Sequence, residues 1–133
     1  MLFQISNNSY LARDPAVYGT DVLVRETRKK RYLQEHPEDR MIPRQEFRLN
    51  FALWSEELEG SLTEAVVLLQ AVLIPQDGAP EITDEFVSSA LPYEIDEVLN
   101  FFSEERTKAW NAYAQTKNVG KDIIQSPTET IST

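Results

Sequence analysis

The sequence predicts a mainly α-helical fold: a small helical domain of about five helices over residues 1–115, with a short N-terminal strand and a disordered C-terminal tail over 116–133. Three observations predict it. Apolar residues recur at helical spacing, as in Phe47, Phe51, Trp54 and Leu58, which stand at i, i+4, i+7 and i+11. Helix-start signals precede the apolar runs at Asp14-Pro15, at Ser61 with Glu64 three residues on, and at Thr83-Asp84-Glu85. Breakers fall between them, at Pro37, Gly60, Pro75 and Pro92.

Taken in order, Phe3 and Ile5 alternate with polar neighbours before a turn at Asn7-Asn8-Ser9, so residues 1–13 read as a short strand or an extended arm. Gly19 interrupts the helix signal at Asp14-Pro15, and the first full helix is expected from about Asp21 to Glu35. His36-Pro37 ends it, because a residue ahead of proline disfavours the α region. Glu38–Pro43 is a loop, and a second helix follows from Arg44 to about Glu59. The capping box at Ser61 opens a third helix to Ile74, apolar on every side and so the expected centre of the core. Pro75–Glu81 is a loop, and Thr83 opens a short helix carrying Phe86, Val87, Ala90 and Leu91. Tyr93–Gln115 is one long helix, or two with a bend near Ser103, whose stripe runs through Ile95, Val98, Leu99, Phe102, Ala109, Trp110 and Tyr113.

Composition excludes several chemistries. The 133 residues hold no cysteine and one histidine, which removes disulfides, a thiol nucleophile, Cys-ligated metal and any two-histidine relay. Hydrophobic residues make up 41%, enough for a core and too many for a wholly disordered chain. The longest apolar run, Ala65–Ile74, is half a membrane span, so no membrane partner is expected. No targeting segment is visible, and the expected compartment is a cytoplasm.

The formal charge of −9 is unevenly spread. Met1–Arg48 carries nine basic and seven acidic residues, a surplus of two positive charges. Leu49–Thr133 carries four basic and fifteen acidic residues, a surplus of eleven negative charges. A polyanionic surface repels phosphate backbones and favours protein partners over nucleic acid.

No motif points to catalysis, and the chain reads as a non-enzyme. The carboxylate clusters Glu56-Glu57-Glu59, Asp84-Glu85, Glu94-Asp96-Glu97 and Glu104-Glu105 lack a ligand rhythm for hard cations and read as solvated helix faces. His36 lies in a polar loop with no partner named by the sequence. The isolated glycines form no phosphate cradle, so no cofactor is expected. Arg28-Lys29-Lys30-Arg31, with Arg25 before it, reads either as a phosphate-contacting run or as a solvated helix whose cations pair with the acidic half. Successive residues turn by roughly 100°, so the four surround the helix rather than mark one face. Phe102, Trp110 and Tyr113 are the candidate aromatic partner contacts, Trp110 and Tyr113 above all, because nothing obvious covers that end of the stripe.

The layout resembles the tail assembly chaperones of long-tailed bacteriophages, the lambda-like and HK97-like proteins encoded just ahead of the tape measure gene. The resemblance covers the chain as an arrangement: size, acidity, a central pair of helices at Phe47–Leu58 and Leu62–Ile74, and a long C-terminal helix running into a polar tail. Members are often extended by a programmed frameshift whose slippery heptamer reads Gly-Lys, and Gly120-Lys121 stands close to the end of this chain. The resemblance implies a non-enzymatic protein in the host cytoplasm, absent from the mature virion. It implies binding to the tape measure protein and recruitment of major tail protein subunits to the tube. The opposite charges of the two halves predict self-association by head-to-tail pairing between subunits. The other reading is a small acidic adaptor or regulator acting through the basic helix at residues 25–31.

Overall fold

The structure is a computed structural model, and it describes residues 1–118. It is mostly helical, with a three-stranded antiparallel sheet made by the N-terminus and one later strand. Strands β1 (Leu2–Ile5) and β2 (Asn8–Ala12) form a hairpin. Ser6 and Asn7 both adopt positive φ (52° and 65°), the conformation a two-residue hairpin loop requires, so the turn falls one residue earlier than Asn7-Asn8-Ser9. The lone strand or arm expected for residues 1–13 is therefore a paired hairpin. Its register sets Phe3 against Tyr10, and both side chains are buried with Ile5.

Helix α1 (Tyr18–Glu35) starts before Asp21 and runs straight through Gly19. Asp14 does not cap it. Its carboxylate instead accepts the Ala16 N–H at 2.9 Å, and the Thr20 hydroxyl donates to the Asp14 carbonyl at 2.7 Å. A 3-10 turn (Pro37–Arg40) leads to α2 (Arg44–Glu57). At α3 (Leu62–Val72) the Ser61 hydroxyl accepts the Glu64 N–H at 3.2 Å. The Glu64 carboxylate reaches back to the N–H of Gly60 at 3.0 Å, a capping box shifted one residue outward.

The third helix ends two residues short of Ile74. Leu73–Pro75 is a strand, β3, pairing antiparallel with β2 through Leu11↔Ile74 and Ala12↔Leu73. Ile74 precedes a proline and is β-branched, which turns it from the α region, and β2 offers an edge to receive it. Thr83 caps α4 (Asp84–Ser88) by accepting the Phe86 N–H at 3.1 Å. Helix α5 (Pro92–Asn118) is continuous, with no break at Ser103, and extends past the Gln115 end expected for it. The rest of the tail, from residue 119 on, lies outside the described residues.

One core joins these elements. Val66, Leu69 and Val72 of α3 pack with Ile5 and Tyr10 of the sheet and with Ile95, Val98 and Phe102 of α5. Burying each such aliphatic side chain stabilises the fold by about 1.5–3 kcal/mol. Tyr10 keeps its polar end satisfied by donating to the Pro80 carbonyl at 2.7 Å, and burial raises its phenol pKa.

Candidate interaction surfaces

The basic run on α1 is dispersed around the helix, as its angular spacing demands. Arg31 turns inward. It donates two bonds to the Asp84 carboxylate, at 2.9 and 2.7 Å, and one to Glu35 at 2.8 Å. This fork ties α1 to the first turn of α4, and the bond from Arg31 holds the Asp84 carboxyl below its usual range. Lys29 lies over the Phe47 ring at 5.6 Å, and Arg25 over Tyr18 at 5.5 Å. Lys30 is exposed beside Gln34. Arg28 lies along a groove between helices. The five cations thus form no single positive face. Arg31, expected among the partner contacts, is a structural link because its charge is already matched inside the domain.

The aromatic candidates divide as well. Phe102 is 8% exposed and belongs to the core, so it offers no free aromatic face and shows only an edge to the groove between α1, α3, α4 and α5. It sits in the cluster that joins α5 to α3 and the sheet, while Trp110 and Tyr113 further along the stripe emerge into solvent. Trp110 and Tyr113, 64% and 52% exposed, do stand free, with ring centroids 5.5 Å apart. They form a shelf against the chain leading into α1, where Val17 is exposed and Tyr18 is 72% exposed. The Arg106–Asp21 ion pair at 2.7 Å pins α5 to α1 beneath it. Sequence reading missed Val17 and Tyr18, since only the tertiary crossing of α1 and α5 brings them to the shelf.

A second surface is a groove of about 750 Å³ bounded by α1, α3, α4 and α5. Two of its walls are apolar, with Leu62, Ala65 and Leu68 from α3 and Ile95 and Leu99 from α5. The hint in the sequence was that α3 is apolar on every side, so a helix with a single buried face would leave part of it bare.

His36 lies beside Tyr32 with ring centroids 4.8 Å apart, and among the described residues its one ion-pair partner is Glu38, at 3.6 Å. Among the described residues no three His, Asp or Glu side chains converge as metal ligands, and no helix is long and apolar enough to cross a membrane. Gly120 and Lys121 lie outside the described residues. No family model, curated protein or solved structure matches the chain.

Proposed function

We propose that this chain is a non-enzymatic tail assembly chaperone of a long-tailed bacteriophage. It binds the tape measure protein in the host cytoplasm, keeps it soluble, helps recruit tail-tube subunits, and is left out of the virion. The observation that carries the reading is the exposed aromatic shelf of Tyr18, Trp110 and Tyr113 on a chain of net charge −9. Exposed large aromatics in a group mark a docking surface. The surrounding negative charge keeps a complex with an aggregation-prone partner dispersed. Self-association fits the same protein: Arg40, Arg44 and Arg48 are exposed at the basic end, and a head-to-tail contact with the acidic half builds rings or open spirals.

The adaptor reading through residues 25–31 draws less support, because Arg31 is committed to Asp84 and the other cations point in different directions. Co-expression tests the proposal. A candidate tape measure protein should move from the pellet to the soluble fraction when the chain is present. A tape measure equally insoluble with and without it would refute the chaperone role.

A further inference from the structure

We infer that the groove between α1, α3 and α5 is a seat for one amphipathic helix that carries a carboxylate facing Arg28. The groove walls are two apolar ridges at helical spacing, Leu62, Ala65 and Leu68 on α3 and Ile95 and Leu99 on α5. Two such ridges with an open trough between them are the surface a third helix packs into. From Leu62 to Leu68 the trough runs roughly 9 Å, so its occupant contributes about two turns.

Charge selects which helix. Arg28 lies along the α1 wall, and its Nε is sealed from solvent with no hydrogen-bond acceptor among the described residues. No described carboxylate lies within ion-pair distance of it. Its neighbours are otherwise engaged. Arg106 is paired with Asp21, and Glu64 accepts the Gly60 N–H. A guanidinium held by packing at the edge of an apolar trough, with its charge unmatched, favours an occupant that brings a carboxylate to it. Asp96 is exposed on the α5 wall and suits a basic residue on the occupant's other edge. Only the source of the helix, a tape measure segment, rests on the chaperone reading; its chemistry is read from the groove.

The test uses two synthetic helices of about 18 residues, five turns each. Both carry leucines at i, i+3 and i+7, and they differ only in having Glu or Gln beside that stripe. Fluorescence anisotropy with the full chain should show the Glu helix binding about tenfold more tightly than the Gln helix. Arg28→Met should weaken the Glu helix by the same factor and leave the Gln helix unchanged. Leu62→Asp, at an exposed position on the rim, should abolish binding of both while circular dichroism stays native. Failure of both helices to bind overturns the inference, and so does equal binding of the Glu helix by the chain and by Arg28→Met. Peptide binding together with an insoluble co-expressed tape measure would keep the groove and remove the chaperone role.

Discussion

Helices α2 and α3 both carry large apolar residues, on one face of α2 and on every side of α3, and the fold treats them in opposite ways. Helix α3 buries Val66, Val67, Leu69, Ala71 and Val72 and touches the sheet, α1, α4 and α5. Helix α2 has no fully buried residue of its own. It is held by an aromatic cluster in which Phe47, Phe51 and Trp54 each pack edge-on against Tyr32, with centroids 5.3–5.6 Å away. Trp54 adds a bond from its indole N–H to Glu35 at 3.0 Å. The other side of α2 leaves Leu49 and Leu53 exposed. Aromatic bulk at helical spacing is thus enough to attach a helix at one point without making it part of the core.

The sharpest way to break this contrast is to remove the same atoms from each helix. Leu69→Ala in α3 should cost about 2–5 kcal/mol in urea unfolding. Leu53→Ala in α2 should change stability by less than about 0.5 kcal/mol. Comparable losses would show that α2 shares the core.

Next in size is Tyr32→Ala, expected to cost about 3 kcal/mol, since it removes the one ring that all three α2 aromatics contact. Its loss should be local. In a Trp110→Phe background, Trp54 fluorescence should change at lower denaturant than far-ultraviolet circular dichroism, whereas a single coincident transition would mean that α2 and α3 unfold as one unit.

Smaller again is Arg31→Met, expected at about 1–2 kcal/mol, because the pair with Asp84 is half-exposed. The sign of its pH dependence follows from Asp84, whose folded carboxyl is held below its unfolded value. That stability is present above the unfolded value near pH 4 and is lost as pH falls through the folded one. Arg31→Met should therefore flatten the acid limb of the stability curve measured by thermal melts.

At the alkaline end the aromatic cluster reports on itself. Burial first, and then donation to Asp39, push the Tyr32 phenol up to about 12 from 10.0. A raised value contributes stability that is whole below pH 10 and drains away towards pH 12. Tyr32→Phe should remove that alkaline step, at a cost of about 1 kcal/mol near neutral pH. Tyrosinate absorbance and Trp54 fluorescence followed together would check it.

Much of the architecture was legible in the residues. The capping oxygen of Ser61 is where the sequence put it, α4 starts at Thr83-Asp84-Glu85 as expected, and the all-round apolar character of α3 located the core. Long-range pairing was not legible. Leu73-Ile74 continues a helical pattern; Pro75 disfavours the α region at Ile74, but the strand partner that receives these residues, β2, lies about sixty residues away in the chain and could not be read from them. The same holds for the surfaces. Trp110 and Tyr113 could be singled out because their stripe outran its expected cover, but Phe102 lies on that stripe too, and its burial comes from the tertiary packing of the core cluster. Arg28 and Arg31 are three residues apart in one basic run, and only the fold decides that one is matched by Asp84 while the other faces an open groove.

The most direct measurement of the central claim is sedimentation of the purified chain with a soluble helical fragment of the tape measure protein. Wild type is compared with a Trp110→Ala/Tyr113→Ala variant, whose exposed substitutions should leave the melting temperature nearly unchanged. A docking shelf predicts a complex with the wild-type chain and at least tenfold weaker association with the variant. Equal sedimentation of the two, or no complex with either, would contradict the claim that this surface binds the tape measure.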